Sequence, residues 1–430
     1  MAPTEVVELA SELIAIDTTN SGSTVIGEQL AAECVADRLV EAGGRPELLA
    51  AAAGRDNVLL RIDGTDRDLP GIVVHGHLDT VAADPDEWTV DPWSGLERDG
   101  CLWGRGAIDM KGSDAVMLAV ARHWLDVGER PRRDVVFGWL ADEEAGGTLG
   151  ARWLLERHPD RFAGCRVAVG EIGGFGVPLG GGRTLYPLMT AERARARLDL
   201  SVRGRSRHSS ISRGGDPVST LARCLIALTD HEVDPAAAVA VDGLLQVLGP
   251  LCGMDLAKLP LPAALTALGP LAALVEPAIR HSMVPTMLTA GSAPNMVPSK
   301  ASAVVDCRIL PGRQAEFGAD VERLIDGRAE HALTTLSEGF QAPFDHPVVA
   351  AMTEALRRAD PGAITAPYLV SAATDAAHFA AAGMLTYGFT PLGLPIGFPL
   401  GTLFHGVDER VPIAGLRFGV QVLDDFLRTV

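Results

Sequence analysis

Residues 72–112 read IVVHGHLDTVAADPDEWTVDPWSGLERDGCLWGRGAIDMKG. The apolar run Ile72–Val74 predicts a buried strand that ends on His-Gly-His-Leu-Asp. Side chains alternate along a strand, so His75, His77 and Asp79 share a face. A His with an Asp two residues on suits a metal ligand and its orienter, because the carboxylate fixes the imidazole tautomer and raises its basicity. Gly104-Arg105-Gly106-Ala107-Ile108-Asp109-Met110-Lys111-Gly112 then sets a second carboxylate in a glycine-bracketed turn, where the backbone can bend sharply and approach a ligand.

Taken alone, a strand-end His reads as a satisfied polar residue, and Glu143-Glu144 as a solvated turn. The constellation argues otherwise. Glu143 and Glu144 follow the apolar strand Val135–Leu140. Glu171 follows another, Val167–Val169, and His405 lies near the end of the chain. Acidic and His residues at several strand ends fit an open α/β sheet, which binds ligands at the carboxyl ends of its strands.

Strings along nearly the whole chain occur in one order: HGHLDTV, DPW…DG…GRGAIDMKG, DEEAGG, VGE, RGRSRHSS, APNMVPSKASAVVDCRILPG, ATDAAHF and HGVDERV. Together they resemble the dinuclear-metal peptidases and deacylases. That family includes acetylornithine deacetylase, succinyl-diaminopimelate desuccinylase, aminoacylase and the glutamate carboxypeptidases. The long 235–280 stretch resembles the branch of vacuolar carboxypeptidase S and the secreted N-acyl amino acid synthase/hydrolase.

The resemblance implies two divalent ions, Zn²⁺ with Mn²⁺ or Co²⁺ as alternatives. His77 and Glu171 would bind one, Glu144 and His405 the other, and Asp109 would bridge them. Glu143 would be the general base towards a metal-bridged water, and Asp79 would hold His77. His208 would donate to the oxyanion from across a homodimer, while Asn295, Arg308 and Thr374, with Asp375 beside it, would face the substrate. His75 and His378 read as structural. Two loops depart from the family pattern: Ile172-Gly173-Gly174 after Glu171, and Ser371-Ala372-Ala373 before Thr374. Both bear on specificity. The implied reaction is hydrolysis of an amide in a dipeptide or N-acyl amino acid with a free carboxylate. Two other readings are a two-metal aminopeptidase and an inactive binding protein on this fold. RGRSRHSS and DCRILPG weigh against the first, and the intact ligand set against the second.

Composition sets outer limits. The 430 residues allow two domains and a large core. With 37 basic and 55 acidic residues the net charge is −18, which argues against a nucleic-acid partner. Cysteines 34, 101, 165, 224, 252 and 307 are scattered without a C-x-x-C pair and read as reduced thiols of a cytoplasmic protein. The acidic N-terminus lacks the basic start of a signal peptide. Leu259–Val275 is uncharged but short and broken by prolines, so no membrane span is expected.

Strand and helix patterns alternate to residue 189, which predicts a mixed, mostly parallel sheet covered by helices. Helices are expected over 6–14, 31–42, 113–127, 149–157, 346–358 and 414–427, and strands over 57–62, 72–75 and 384–390. Near 190 the pattern becomes the polar/apolar alternation of a half-exposed strand, Arg195–Arg203. A helix over 217–228, short helices in 235–280, strands near 283–291 and 301–310, and a helix over 315–326 complete a smaller α+β unit. The expected division is 1–189 with 339–430 as the catalytic domain and 190–338 as an inserted lid and dimerisation domain.

Overall fold

The computed structural model describes residues 2–22, 27–212, 214–231, 239–251, 253–276 and 279–430. Residues 235–238, 252 and 277–278, part of the expected short-helix stretch, lie outside these. So does one of the six cysteines, Cys252. The other five are free thiols.

The chain divides into two compact units. One comprises Met1–Thr190, Ala342–Pro367 and Thr374–Val430, the other Ala191–Gln341 and Tyr368–Ala373.

In the first unit the central strands run in the order Glu47–Ala52, Arg55–Ile62, Val135–Leu140, Gly71–His77, Cys165–Gly170, Leu385–Gly388, Arg183–Glu192. The four strands from Val135–Leu140 to Leu385–Gly388 are mutually parallel, and their flanks are antiparallel. Gly71–His77 and Val135–Leu140 are buried at every position, as strands covered on both faces must be. The covering helices include Ala2–Ile14, Lys111–Val127 and Ile413–Thr429. In the last of these Ile413, Leu416, Val420, Leu423 and Leu427 recur at helical spacing and are buried. Each such side chain contributes about 1.5–3 kcal/mol on burial. Lys111–Val127 ends at Gly128, which takes the left-handed conformation (φ 68°) that a helix terminus of this kind favours in glycine.

The first helix begins at Ala2, earlier than its sequence pattern predicts. Glu47–Ala52, Arg183–Glu192, Glu330–Ser337 and Ala363–Val370 are strands that the sequence patterns did not predict.

The second unit is built on an antiparallel sheet ordered Ser282–Ala290, Lys300–Ile309, Ala194–Arg203, Glu330–Ser337. Ala194, Ala196, Leu198 and Leu200 point to one face. There they pack with Leu221, Cys224 and Leu228 of the helix Pro217–Thr229 and with Phe317, Val321 and Ile325 of Gln314–Ile325. The alternating residues of Ala194–Arg203 are more exposed, as a one-sided sheet requires. Among the described residues no helix is long and apolar enough to cross a membrane.

Candidate metal centre

Three neighbouring parallel strands deliver the centre from their carboxyl ends. Gly71–His77 ends on His77, Val135–Leu140 leads to Glu143 and Glu144, and Cys165–Gly170 leads to Glu171. Asp109 comes from the glycine-rich turn before Lys111–Val127, and His405 from the loop before the last helix. Gly388, on the adjoining strand, passes so close to this end that a Cβ would stand 2.2 Å from the Ile172 carbonyl oxygen and 2.3 Å from that of Glu171.

His77 Nε2 lies 3.1 Å from Asp109 Oδ1, 3.7 Å from Glu171 Oε2 and 3.9 Å from Glu143 Oε2. His405 Nε2 lies 3.2 Å from Asp109 Oδ2 and 3.2 Å from Glu144 Oε2. Potential ligand atoms of His77, Glu143 and Glu171 lie within 4.8 Å of one another, as do those of His77, Asp109 and Glu144. His77, Asp109, Glu143, Glu144, Glu171 and His405 therefore meet in one place. Distance alone does not divide Glu143 from the ligand set.

Asp79 supports this cluster through its backbone as well as its side chain. The atom that fixes the His77 tautomer at hydrogen-bond distance is the Asp79 backbone carbonyl, which accepts from Nδ1 at 2.9 Å. A carbonyl only accepts, so Nδ1 carries its hydrogen and Nε2 faces the carboxylates. The Asp79 carboxylate stands 3.5 Å from Nδ1 and is engaged elsewhere. Its Oδ1 accepts from the Glu143 N–H at 3.1 Å, and its Oδ2 from the Glu144 N–H at 3.0 Å and the Asn20 amide at 2.8 Å. Asp79 thus pins the turn that carries both glutamates.

That turn is held from behind by a buried polar network absent from the sequence reading. Arg55 bonds Glu28 and the Asn20 side-chain oxygen and lies 3.4 Å from Asp142. Glu28 accepts the Asp142 N–H at 2.8 Å. Asp142 in turn accepts from Thr148 and from the Leu149 N–H. Glu409, fully buried, does the same for Asp109. It accepts the N–H groups of Gly106, Ile108 and Asp109 at 3.0, 2.7 and 3.0 Å and pairs with Arg105 at 2.7 Å. Glu409 lies in the quoted string HGVDERV, four residues after His405. That position was the available signal.

Burial pushes the Glu143 carboxyl well above the ordinary range, and the Glu171 charge pushes it further. Burial also raises Glu171, against the pull of His77. Asp109 goes the other way: burial would raise it, but the bonds from His405 and His77 hold it below the ordinary carboxylate value. Bonds to Asp109 and Glu144 raise His405 to about 10. Four carboxyl groups and two imidazoles gather at this end of the strands. Glu144 Oε1 and Glu171 Oε1 are buried without a hydrogen-bond partner. Unsatisfied oxygens among His and carboxylate donors fit hard or borderline divalent cations.

The remaining expected residues are placed as follows. His75 is buried and stacked on Phe379 with ring centroids 4.4 Å apart. Burial pushes its pKa down to about 3. His378 Nε2 meets the Gly146 carbonyl at 3.0 Å, bracing the glutamate turn. Thr374 is buried and its Oγ1 accepts the Ala376 N–H at 3.2 Å. Both oxygens of buried Asp375 lack a hydrogen-bond partner. His208, Asn295 and Arg308 belong to the second unit. His208 is exposed and hydrogen-bonded to Ser210 at 2.8 Å, and the Asn295 carbonyl accepts the neighbouring Ser209 N–H. Arg308 Nε donates to Asp306 at 2.9 Å.

Comparison with known proteins places this geometry. The N-fatty-acyl-amino acid synthase/hydrolase PM20D1 of Xenopus tropicalis is 26% identical over 389 residues, 84% of this chain and 73% of its own length. A probable carboxypeptidase S-like 2 of Dictyostelium discoideum is 26% identical over 395 residues, covering 85% and 72%. Succinyl-diaminopimelate desuccinylase of Paracoccus denitrificans is 27% identical over 257 residues, covering 59% and 56%. Among solved structures, the M20 family metallo-carboxypeptidase Sso-CP2 of Sulfolobus solfataricus superposes with a TM-score of 0.72 at 17% identity, over 99% of this chain and 98% of its own. The Bacillus subtilis YXEP protein, a dinuclear metal binding peptidase, does so with a TM-score of 0.64 at 16% identity, over 100% and 99%. These two likenesses carry the fold alone. The family model for peptidase family M20/M25/M40 matches residues 73–429, so the chain belongs to that family and is an enzyme of the metallopeptidase or amidohydrolase kind.

Proposed function

We propose that the enzyme hydrolyses the amide bond of an N-acyl amino acid or dipeptide whose carboxylate is free. The observation that carries this is the two-sided placement of Asp109 between His77 and His405. In this reading His77 and Glu171 would hold one ion and His405 and Glu144 the other, with Asp109 available to both. The chemistry such ions supply when bound is activation of water and polarisation of the amide carbonyl.

Glu143 takes the proton from the attacking water and passes it to the leaving amine. Burial and the Glu171 charge raise its carboxyl above the ordinary range, the direction that suits a group which must return the proton it accepts. Asp79 keeps Glu143 and Glu144 in register through their backbone N–H groups. His208 donates to the developing oxyanion, and Asn295, Arg308 and Thr374 fix the substrate. Zinc is the proposed metal, since a His/carboxylate set is typical of it, with Mn²⁺ and Co²⁺ as alternatives.

The N-acyl amino acid is favoured within this class because relatives whose names specify N-fatty-acyl-amino acids match 84–86% of the chain. We place the enzyme in the cytoplasm, on its five unpaired cysteines among the described residues, and assign it a homodimer through the second unit. The strand Ser282–Ala290 forms an edge of that unit's sheet and exposes Val284, Met287 and Leu288, the kind of edge that pairs with another chain.

The test is zinc-loaded protein assayed against a panel of N-acyl amino acids, dipeptides and their C-terminal amides. Turnover of the free acids and weak turnover of the amides is the expected result. Equal rates on acid and amide would reject the carboxylate requirement.

A further inference from the structure

Arg193 is a buried cation with no anion upon it. It follows the strand Arg183–Glu192 and is only 8% exposed. Its Nε is shut off from water and has no hydrogen-bond partner. The charges that act on it most are Arg308, of like sign, and Asp306. Asp306 already accepts from Arg308 Nε at 2.9 Å. A further guanidinium adjoins them. Arg195 stands opposite Arg308 in the strand ladder, and its Nε is also buried without a partner. Arg193 lies in the link between the strands Arg183–Glu192 and Ala194–Arg203, two residues before Arg195, and directly paired residues such as Arg195 and Arg308 share a face. Arg193 and Arg308 therefore act on one carboxylate, Asp306, and Arg195 stands beside Arg308.

An internal salt-bridge network would be the plain explanation, and the hydrogen bonds are against it. Asp306 is already taken by Arg308, which leaves Arg193 Nε without a partner. Burying an unpaired charge is costly, and buried polar groups nearly always have partners. Burial, with Arg308 beside it, pushes the Arg193 guanidinium down to about 10, so it remains a cation at neutral pH. Such a cluster is unfavourable on its own and is relieved by an entering anion. The planar guanidinium fork matches a carboxylate with two parallel hydrogen bonds.

We propose that Arg193 is the second half of a clamp with Arg308 that grips the free carboxylate of the substrate. This rests on the reading of the enzyme as a hydrolase of N-acyl amino acids or dipeptides. Arg195 strengthens the positive field beside the clamp without being one of its two jaws.

The test compares the zinc-loaded parent with Arg193→Gln, Arg193→Lys and Arg308→Gln. The substrates are the most active member of the N-acyl amino acid panel and its C-terminal amide. Arg193→Gln should lose roughly 10- to 100-fold in kcat/KM on the acid, mainly through KM, with little change on the amide. Arg193→Lys should fall between, keeping the charge but not the fork. The melting temperature of ligand-free Arg193→Gln should equal or exceed the parent's, since an unpaired buried charge is gone. An unchanged acid/amide ratio in Arg193→Gln overturns the clamp. So does a variant that melts lower or fails to fold, because Arg193 is then a structural cation. If the parent itself shows no acid preference, the substrate reading has failed. If the parent prefers the acid and only Arg308→Gln abolishes that preference, the clamp alone has failed.

Discussion

Asp109 turns one carboxylate oxygen to each histidine: Oδ1 is 3.1 Å from His77 Nε2, and Oδ2 is 3.2 Å from His405 Nε2. A carboxylate offers two equivalent acceptors, whereas an amide of the same shape offers one. Asp109→Asn should fold normally, because Glu409 holds that turn by its backbone N–H groups. Its zinc content, measured by elemental analysis, should fall from about two ions per chain to one or fewer. A variant retaining both ions would remove Asp109 from the bridging role.

Glu143 and Glu144 are adjacent, and only the first is assigned as the base. Glu143→Gln keeps its backbone bond to Asp79 and its side-chain size. It should keep the parent's metal content and lose about 10²–10⁴-fold in kcat. Loss of an ion from this variant would make Glu143 a ligand. Near-parental turnover would end its role as base.

Glu409 acts on Asp109 from behind. Glu409→Gln leaves one good acceptor where four donors converge and leaves Arg105 unpaired. Metal affinity, measured by competition with a chelator, should drop roughly 10- to 100-fold, as for outer partners of metal ligands. Glu409→Asp should recover part of it. Parental affinity in Glu409→Gln would show that the turn positions Asp109 unaided.

What could be read in the sequence and what could not follow from the range of the interactions. Strand ends bearing His77, Glu143, Glu144 and Glu171 were legible because apolar runs and the polar residues that close them are local. The glycines around Asp109 marked its turn for the same reason. Asn20 and Arg55 left no such trace, and Glu409 showed only as a position in HGVDERV. Their partners lie far along the chain, as with Asn20 and Asp79 or Ile108 and Glu409. The strand Arg183–Glu192 was hidden because its second half is buried on both faces and shows no alternation. Ala363–Val370 was masked by Pro367, a residue that argues against a strand. The carboxylate of Asp79 is two residues from His77 in sequence, but its hydrogen bonds come from the Glu143 and Glu144 N–H groups. No local pattern encodes that choice.

The exposed edge Ser282–Ala290 bears on assembly. Met287 and Leu288 are 62% and 66% exposed, beyond the register shift at Pro285. A Met287→Asp/Leu288→Asp double variant should sediment as a monomer where the parent is a dimer. Mixing His208→Ala with Glu143→Ala should partly restore activity, if each His208 serves its partner's centre. A fully active monomeric parent, or subunit exchange without rescue, would count against that crossing.

His281 should make the second unit acid-sensitive. It is 6% exposed, its Nδ1 accepts the Leu310 N–H at 3.0 Å, and its ring meets Phe317 edge-on at 5.3 Å. An accepting Nδ1 carries no proton, so this fold holds the neutral imidazole. Burial is the main cause that lowers its pKa below the ordinary 6.5. Arg313 and Arg193 reinforce the shift, and Glu316 and Asp320 oppose it. Above pH 6.5 the ring is neutral in both the folded and unfolded chain, so its contribution is complete there. Below that value the unfolded chain takes up a proton that the folded chain resists. Stability then falls by up to about 1.4 kcal/mol per pH unit until the folded pKa is reached. His281→Gln can still accept from Leu310 but cannot titrate. The gap in unfolding midpoint between parent and His281→Gln should stay level from pH 8 down to about 6.5 and shrink from there towards pH 5. A gap that stays constant across that range would mean that His281 keeps the same charge in both states, and the acid sensitivity would have to come from the carboxylates around it.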